Sequence, residues 1–451
     1  MPSTMSFGHR ELSVFVPAGP SFPYYLEFMK KERPQPRRVV ITGFGCVSPL
    51  GRGRDELWSA MSAGKSGVRR IESFDVTSSP VKIAAEVPDF DWQAELDAKD
   101  RKHVARTVPL LLAGTRFALE DTGIEPSELS LDERRSIGVE IGTGGGGLEF
   151  TERQYNYWFN GPVGQASVYT IPSSTHGGLS SEVSMKFGFK GLSHVVSTGC
   201  TSSTDAMFYA AEHIARGRQD VMITGGVDAP LAPGIFAGFN VMTVLTSAWN
   251  DEPERASRPF SADRSGMVLA EGSYVFVFEE LERALARGAT VYAEITGYGS
   301  TCDAYHRVRL DDSGIEPARA MSLALTAAGR DAAEVDYVNL HGTSTVLNDR
   351  IETNAVKIAL GEAAERIPMS ATKSQLGHPQ GASGAAGLSA ALCAMTTGVV
   401  PPTLNLDVPD PECDLDYVPN VARAAAVDVA LCNCIGFGSK NSALVVERYT
   451  D

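Results

Sequence analysis

Short apolar runs alternate with helical patterns along most of this chain, and this alternation limits the folds that it can adopt. A buried-strand pattern at Val39–Thr42 is followed by helical patterns near Asp55–Met61 and Val108–Leu119. The next strand pattern, Ile137–Ile141, leads into a run of glycines. Strands that alternate with helices favour a buried sheet covered by helices. The sequence therefore predicts an α/β architecture.

Two segments about 250 residues apart repeat one pattern. Ile41–Gly45 reads Ile-Thr-Gly-Phe-Gly, and Ile295–Gly299 reads Ile-Thr-Gly-Tyr-Gly. Together with the polar strand-to-loop segments described below, this repeat indicates two similar halves. We therefore expect an N-terminal extension over residues 1–37, a first half over residues 38–290 and a second half over residues 291–451.

Charge and cysteine content exclude several classes of protein. A formal net charge of -15 argues against binding to nucleic acid, which requires an excess of lysine and arginine. No uninterrupted apolar stretch reaches the ~20 residues that span a membrane, and the first residues lack the order of a secretory signal. Seven cysteines without disulfide-like spacing indicate reduced thiols. We therefore expect a cytoplasmic protein.

Motifs that commonly bind cofactors are present only in part. Gly43–Gly45 follows a strand, but Ser48 stands where a dinucleotide motif has its third glycine. The run Gly142–Gly147 lacks the Lys-Ser/Thr ending of a phosphate-binding loop, so a tight backbone turn is the better interpretation. Cys432 and Cys434 suggest a metal, but no cluster elsewhere in the sequence completes a ligand set. We predict neither a nucleotide nor a metal.

The strongest local feature is the segment around Cys200. Apolar Val195 and Val196 precede a small polar stretch, Ser197–Thr204, and apolar residues at helical spacing follow. This pattern predicts a strand, a tight turn and a helix, with Cys200 at the helix N-terminus. Unpaired backbone N–H groups and the helix dipole favour a thiolate there, so Cys200 is a candidate nucleophile. The alternative is a small buried cysteine without chemistry.

Two histidines lie in polar, glycine-bounded loops of the second half. His341 follows an apolar strand and begins the sequence His-Gly-Thr-Ser-Thr. His378 follows Lys373 in the sequence Lys-Ser-Gln-Leu-Gly-His-Pro-Gln-Gly, before a helix of small residues. Loops at strand ends are where α/β sheets build their sites. The histidines are therefore candidate partners of a nucleophile; for each one alone, a structural role is the alternative.

A glycine turn interrupts the last strand pattern of the chain. The segment Gly436–Gly438 flanks Phe437 with two glycines, which let the backbone approach a ligand closely. The N–H of Phe437 is thus a candidate donor to an oxyanion. A simple hairpin turn is the alternative.

These four segments, in this order, resemble the β-ketoacyl synthases, specifically the elongating enzymes of fatty-acid and type II polyketide synthesis. The resemblance runs from Arg38 to Tyr449. It implies a thiolase-type five-layered αβαβα sandwich of two duplicated halves, with the site between the halves, in a dimeric protein. It also implies a ketosynthase that condenses an acyl group on Cys200 with malonyl-acyl carrier protein by decarboxylative Claisen chemistry.

The resemblance assigns a role to each catalytic candidate by position. Cys200 takes the acyl chain from the phosphopantetheine thioester of the acyl carrier protein, so the enzyme needs no cofactor of its own. His341 and His378 hold the malonyl thioester carbonyl by hydrogen bonds. Lys373 matches the lysine that organises the two histidines electrostatically.

Further positions match the binding and gating residues of the family. Phe437 donates its N–H to the oxyanion together with the backbone of the nucleophile, and Gly438 belongs to the same gating loop. Thr343 and Thr345 match contacts to pantetheine. Two acidic positions match residues that are structural or linked to a cation in the family: Asp349 and Glu352.

The sequence around the nucleophile, Ser-Thr-Gly-Cys-Thr-Ser, is more similar to that of catalytic subunits of type II polyketide synthases than to that of fatty-acid enzymes. Such subunits pair with a chain-length factor, a sister chain in which glutamine replaces the cysteine. We therefore expect the acyl carrier protein as a partner, in a homodimer or in a heterodimer with such a sister subunit. One departure stands out: Gly387 lies where related enzymes often carry an acidic residue.

Two other functions remain open on the sequence. A thiolase-like, non-decarboxylating acyltransferase would use Cys434 as its acid–base thiol, because the loops at His378 and Cys434 also resemble those of thiolases. His341 argues against it, since a two-histidine site suits decarboxylation. A non-catalytic chain-length or scaffold subunit would have no need of Cys200 and Lys373 together with both histidines.

Overall fold

The computed structural model describes residues 35–438 and 440–450, so nearly all of the predicted extension lies outside the described residues. Short two-residue strands form three small additions: Gly51–Arg52 on the first long strand, Arg69–Arg70 with Ile83–Ala84, and Val399–Val400 with Arg423–Ala424. The strands of the main sheet are β1 (Val39–Ser48), β2 (Ile137–Gly142), β3 (Ser193–Val196), β4 (Val221–Asp228), β5 (Gly272–Glu280), β6 (Ala293–Cys302), β7 (Tyr337–Asn339), β8 (Met369–Ser370), β9 (Val429–Gly436) and β10 (Lys440–Glu447).

Two sets of five strands repeat one topology. The first set has the order β3-β2-β4-β5-β1, and the second has the order β8-β7-β9-β10-β6. In both sets the three strands at one end are parallel and the remaining pairings are antiparallel. Each strand of the first set thus has its counterpart five strands later. The predicted duplication of the fold is confirmed, and the sets join only where Val40 and Ile41 pair with Glu294 and Ala293.

Helices cover both faces of each strand set. Among the described residues, no helix is long and apolar enough to cross a membrane. The helices are α1 (Gly53–Ser62), α2 (Thr107–Thr122), α3 (Leu131–Ser136), α4 (Leu148–Asn160), α5 (Thr170–Ser174), α6 (Gly178–Phe187), α7 (Ser202–Ala215), α8 (Pro233–Val241), α9 (Leu281–Ala286), α10 (Ile315–Ala328), α11 (Val346–Leu360), α12 (Lys373–Leu376) and α13 (Ser383–Thr397).

Three large apolar cores lie between the five layers, and the central core fills the space on both sides of the middle helices. The central core joins Met207 of α7 and Ala390 of α13 to both strand sets, through residues such as Phe276 and Cys432. A second core lies between the first strand set and the outer helices α2 and α6. A third lies between the second set and the outer helices α10 and α11. The order helix, sheet, helix, sheet, helix confirms the predicted αβαβα sandwich.

The repeated Ile-Thr-Gly-aromatic-Gly segments lie in the equivalent strands β1 and β6, and their glycines are explained by packing. A Cβ atom on Gly43 would lie 2.5 Å from the carbonyl oxygen of Ala118 in α2. A Cβ on Gly299 would lie 2.0 Å from the carbonyl oxygen of Ala320 in α10. The helices therefore pack directly against the strand backbone. A residue with a Cβ atom at either position would clash with the helix. These glycines serve helix packing.

Small residues also bring the two central helices together. A Cβ atom on Gly384 at the start of α13 would lie 2.0 Å from Oγ1 of Thr204 at the start of α7. Ala385 donates its N–H to Oγ of Ser203 at 3.0 Å. Because Cys200 precedes α7 and His378 precedes α13, this close approach places the two predicted catalytic loops side by side.

Candidate active site

Cys200 lies in the tight turn Gly199–Thr201 between β3 and α7, as the sequence predicts. Gly199 has φ +75, a left-handed conformation that glycine adopts without steric cost. The carboxylate of Asp205, one turn into α7, accepts hydrogen bonds from Oγ1 of Thr198 at 2.5 Å and Oγ1 of Thr201 at 3.2 Å. Tyr298 of β6 donates to the same carboxylate at 2.8 Å, so the turn is fixed from both halves.

The acidity of the Cys200 thiol differs from the sequence-based expectation. Burial raises its pKa to about 11, although the N–H of Phe437 and the positive charge of Lys373 act in the opposite direction. The helix N-terminus alone favours a thiolate, but removal of the sulfur from water is the larger effect. The resting side chain is therefore a neutral thiol, and burial outweighs the favourable effect of the helix N-terminus on which the sequence-based expectation rests.

Both predicted histidines meet this thiol. One ligand-type atom each of Cys200, His341 and His378 lies within 4.8 Å of the others, and all three residues are buried. The two imidazole rings have centroids 5.3 Å apart and stand almost perpendicular, at 87°. The fold thus gathers residues from three distant segments around one point. A sulfur and two imidazole nitrogens could also hold a soft metal ion, which the sequence does not predict.

The hydrogen bonds of His378 define where its proton lies. Its Nδ1 accepts the backbone N–H of Gln380 at 3.1 Å and lies 3.1 Å from Oγ of Ser383. Burial lowers the pKa of the ring well below its usual value, and the charge of Lys373 adds to this effect. The neutral ring therefore carries its proton on Nε2. His378 is a fixed N–H donor.

His341 contacts a second thiol. Its Nδ1 lies 3.5 Å from Sγ of Cys434, and that sulfur is also 3.1 Å from the carbonyl oxygen of Cys200. Burial lowers the pKa of His341 well below its usual value, with smaller contributions from Lys373 and His378. The ring is neutral at physiological pH. When Cys434 donates its S–H to the Cys200 carbonyl oxygen, the imidazole proton lies on Nδ1, and when the S–H is donated to Nδ1, that proton lies on Nε2, as in His378.

Lys373 lies buried at the start of α12, beside the same centre. Burial lowers the pKa of its ammonium group, and the groups whose charges raise it are, in order, Cys434, Glu352, Cys200 and Asp349. The acidic residue expected from related enzymes is absent at Gly387, in α13. A Cβ atom there would lie 2.5 Å from Oδ1 of Asn339, so a larger residue at this position would require the Asn339 side chain to move.

The two acidic positions hold the backbone of the His341 loop. Glu352 accepts the N–H groups of His341 at 2.6 Å and Gly342 at 2.7 Å. Asp349 accepts the N–H groups of Thr343 at 3.0 Å and Phe260 at 2.9 Å. Both carboxylates are fully buried, where such contacts are worth most. Their observed contacts are structural.

The predicted pantetheine contacts lie in the same loop. Oγ1 of Thr343 is 2.9 Å from Oγ1 of Thr345, and Thr345 caps α11 by accepting the N–H of Asn348 at 3.3 Å. Thr343 is buried, whereas Thr345 is partly exposed. Thr345 therefore has a structural hydrogen bond in addition to the predicted binding role, which stays a prediction.

The turn after β9 approaches the nucleophile through its backbone. The N–H of Phe437 is hydrogen bonded to the Cys200 thiol, and so is the N–H of Cys200 itself. A Cβ on Gly436 would lie 3.3 Å from the Cys200 nitrogen, so glycine permits this approach. Gly438 is exposed and has φ +81, as a turn glycine requires. Both amides predicted to bind an oxyanion thus flank the reacting sulfur.

Asp228, at the end of β4, is a connecting residue that the sequence analysis missed. Its carboxylate accepts the N–H groups of Gly144 at 2.7 Å and Gly145 at 2.8 Å. It also accepts the N–H of Gly381 at 2.6 Å, three residues after His378. The N–H groups of Gly144 and Gly145 in the glycine run are therefore satisfied by a carboxylate of the protein itself. The clustering of glycines was the one available signal that such an acceptor exists.

Family profiles agree with this arrangement. The profile "Beta-ketoacyl synthase, N-terminal domain" matches residues 36–284, and "Beta-ketoacyl synthase, C-terminal domain" matches residues 292–407. The chain belongs to the β-ketoacyl synthase family. It is accordingly an acyltransferase of the ketosynthase type, as the four motifs of the sequence predict.

Characterised relatives of this β-ketoacyl synthase come from two pathways. It is 41% identical over 415 residues to 3-oxoacyl-[acyl-carrier-protein] synthase 2 of Coxiella burnetii, covering 92% of this chain and 99% of the relative. It is 42% identical over 423 residues to the tetracenomycin polyketide synthase ketoacyl synthase alpha subunit of Streptomyces glaucescens, covering 91% and 97%. These nearly equal identities do not separate the two pathways.

Solved ketosynthases share the whole fold. One is a type II polyketide synthase acyl carrier protein in complex with its ketosynthase bound to the hexaketide, with a TM-score of 0.82, 32% identity and coverage of 92% and 100%. Another is the ishigamide ketosynthase/chain length factor, with a TM-score of 0.83, 33% identity and the same coverage. The thiolase-type fold is thereby shown independently of the strand order.

Proposed function

We propose that this β-ketoacyl synthase elongates an acyl chain held on Cys200 by decarboxylative Claisen condensation with malonyl-acyl carrier protein. The observation that carries the proposal is the meeting of the Cys200 thiol with two neutral imidazoles, beside two backbone N–H donors. A nucleophile, donors for an enolate and donors for a tetrahedral oxyanion are the three parts that this reaction needs.

In the first step, the sulfur of Cys200 attacks the thioester carbonyl of the acyl-carrier protein. The new C–S bond forms at Cys200, the C–S bond to phosphopantetheine breaks, and the thiol proton passes to the departing sulfur. Because burial raises the pKa of the thiol to about 11, a base must assist, and Nε2 of His341 can serve when that ring carries its proton on Nδ1 and the S–H of Cys434 is donated to the Cys200 carbonyl oxygen. The N–H groups of Cys200 and Phe437 stabilise the oxyanion.

In the second step, the malonyl group binds with its thioester carbonyl at the two imidazoles. The Nε2–H of His378, and that of His341 when its Nδ1 accepts the S–H of Cys434, donate to this oxygen. The bond to the carboxylate breaks, CO₂ leaves, and its electron pair becomes the enolate of the thioester. That carbon attacks the acyl carbonyl on Cys200, and the sulfur leaves and regains a proton.

Lys373 contributes charge rather than a proton in this proposal. Burial keeps both imidazoles neutral, and the ammonium charge of Lys373 adds to this by electrostatic repulsion and favours negative charge on the Cys200 sulfur. The same charge would favour the enolate and the leaving thiolate as each forms. Thr343 and Thr345 contact the pantetheine arm, and Gly438 lets the turn at Phe437 open and close.

The partners and the pathway belong to the same proposal. The carrier-protein complex and the chain-length-factor pair among the similar structures support an acyl carrier protein as substrate carrier, and a homodimer or a heterodimer as the assembly. The residues around the nucleophile favour type II polyketide synthesis over fatty-acid synthesis. The condensation needs no cofactor beyond the arm of the carrier protein, and we place it in the cytosol.

Intact-protein mass spectrometry tests the proposal. The protein is incubated with a panel of short and long acyl-acyl carrier proteins and then with malonyl-acyl carrier protein. We expect the mass of one acyl group on Cys200, followed by release of CO₂ and a β-ketoacyl product. Acyl-chain preference on Cys200 separates the two pathways.

The same experiment separates the alternatives. Exchange of acetyl groups without CO₂ release would favour the thiolase-like reaction, for which the position of Cys434 beside Cys200 is the supporting observation. Product formation by the Cys200→Ala protein at the rate of the unaltered protein would favour a scaffold. Either result would overturn the proposal.

A further inference from the structure

Three potential metal ligands meet on the first strand set, away from the active site. Glu140 of β2 and His194 of β3 are direct partners in the parallel pairing of these strands. His213, in the last turn of α7, lies over them, and one ligand atom from each residue lies within 4.8 Å of the others. The group thus comes from two neighbouring strands and the helix that covers them.

Glu140 is buried without the partners that a carboxylate needs. The residue is 3% exposed, and its Oε2 has no hydrogen-bond donor. The nearest polar atom across from it is Nε2 of His213, at 3.5 Å. Burial raises the pKa of Glu140 to about 7, in line with the missing countercharge. A buried carboxyl group without a hydrogen-bond donor is unfavourable in such a position unless a cation or a donor compensates it.

His213 is also uncommitted. Its Nδ1 is buried and has no hydrogen-bond partner, and Nε2, which faces Glu140 at 3.5 Å, is the nitrogen that would bind a metal. Burial is the main reason for the lowered pKa of His213, which is therefore a neutral imidazole at physiological pH. A neutral imidazole with a free lone pair is the form that binds metals.

We infer that Glu140, His194 and His213 form a site for a divalent transition metal of the zinc class. Two imidazoles and one carboxylate are a donor set typical of Zn²⁺, with bond lengths of about 2.0–2.2 Å. Tetrahedral coordination at such lengths places ligand atoms about 3.4 Å apart. The 3.5 Å between His213 and Glu140 already meets this requirement. His194 is exposed, so its ring can turn inward, and solvent can fill the fourth position.

A metal ion at this site would stabilise the fold and would take no part in the condensation. His213 lies thirteen residues after Cys200, which at 1.5 Å per residue is about 20 Å along the helix. A metal here would tie β3, the last strand of its set, to the C-terminal end of the helix that carries the nucleophile at its other end. The expected consequence is a more stable protein with an unchanged chemical mechanism.

The experiment must separate this site from the thiol and imidazoles of the active centre, which could also bind metal. We therefore use the full-length Cys200→Ala protein, stripped of metal and titrated with Co²⁺ and then with Zn²⁺. We expect one equivalent of Co²⁺ with a visible spectrum that lacks sulfur-to-cobalt charge transfer. The unfolding temperature should rise with Zn²⁺ concentration.

Substitution of the ligands completes the test. Adding Glu140→Gln or His213→Gln should weaken metal binding by at least about 10- to 100-fold. That is the loss found when only a residue hydrogen bonded to a metal ligand is removed, and removal of the ligand itself should cost no less. Adding His176→Gln, a histidine outside the cluster, should change nothing. The inference is overturned if the Cys200→Ala protein binds no metal, or if binding survives both ligand substitutions. Equal loss with His176→Gln would also overturn it, since binding would then be unspecific.

Discussion

The two halves of the sheet have one topology, but their strand ends carry different chemistry. β3 and β8 occupy the same place, and the first is followed by Cys200 whereas the second is followed by Lys373 and His378. β2 and β7 also correspond, and they lead into the glycine run Gly142–Gly147 and into His341. One half supplies a sulfur, and the other supplies an ammonium group and two imidazoles.

The third pair of equivalent strands explains how the halves are joined. β4 ends at Asp228, whose carboxylate binds backbone N–H groups of the first half and of Gly381 in the second. β9 leads to Phe437, whose N–H reaches the Cys200 sulfur in the first half. Each half therefore contributes a group that contacts the catalytic loop of the other half. Duplication provided two sets of loops, and neither set alone forms the site.

The first prediction removes the nucleophile from one half. Cys200→Ala should abolish acyl loading and reduce product formation by at least about 10⁴-fold, the scale found when an enzyme loses its nucleophile. Product is measured by liquid chromatography with mass spectrometry. Cys302→Ala, which removes an exposed cysteine, is the control and should keep both loading and turnover. Comparable loss in the control would contradict the assignment of the nucleophile.

The second prediction concerns the pKa of that thiol. Alkylation requires the thiolate, whose fraction grows tenfold per pH unit below a pKa of about 11. In the Cys302→Ala protein, the rate of alkylation of Cys200 by iodoacetamide should therefore rise about 1,000-fold from pH 7 to pH 10. A plateau reached by pH 8 would show instead that the helix N-terminus outweighs burial.

The third prediction cuts the connection between the halves. Asp228→Ala leaves several buried N–H groups without an acceptor, at about 1–3 kcal/mol for each unsatisfied group. We expect the free energy of unfolding to fall by about 3 kcal/mol in urea titrations. Asp220→Ala, which removes a half-exposed partner of Arg37, should cost less than about 1 kcal/mol. Equal losses for the two variants would contradict a connecting role for Asp228.

The fourth prediction tests the orientation of one imidazole. Ser383→Ala removes a contact to Nδ1 of His378 and leaves the N–H of Gln380 in place. Decarboxylation should fall roughly fivefold, as for the loss of about 1 kcal/mol, while acyl loading stays unchanged. Ser389→Ala in the same helix removes a hydroxyl that bonds to Ala386 and should affect neither step. A parallel fall in loading would indicate general disruption instead.

Much of the fold could be predicted from local patterns. The strand expected at Ile137–Ile141 and the helices expected near Asp55–Met61 and Val108–Leu119 lie within β2, α1 and α2. Apolar periodicity sets such elements because each must bury one face. The boundaries of the halves stay a prediction. Local patterns do not predict the order of strands in a sheet. The sandwich of two similar halves was predicted from the family resemblance, and the strand pairings confirm it.

The site shows where local reasoning ends. The segments that carry Cys200 and His378 were recognisable because strand, turn and helix are encoded by adjacent residues. The pKa of Cys200 could not be predicted, because burial raises it and the extent of burial is set by the tertiary structure. The group around Glu140 gave no signal and Asp228 gave only the indirect signal of the glycine run, since their partners lie far away in sequence. A contact between distant segments leaves no local pattern.

The most direct test measures acyl loading and decarboxylation separately in the His341→Ala and His378→Ala proteins. It asks whether Cys200 of the first half still takes up an acyl group when one imidazole of the second half is removed. Acyl groups on Cys200 are counted by intact mass, and ¹⁴CO₂ from labelled malonyl-acyl carrier protein is counted in parallel. We predict full acyl loading with CO₂ release reduced on the order of 10²–10³-fold in each variant, as for loss of one donor to a developing oxyanion. Release of CO₂ at the rate of the unaltered protein would contradict the account.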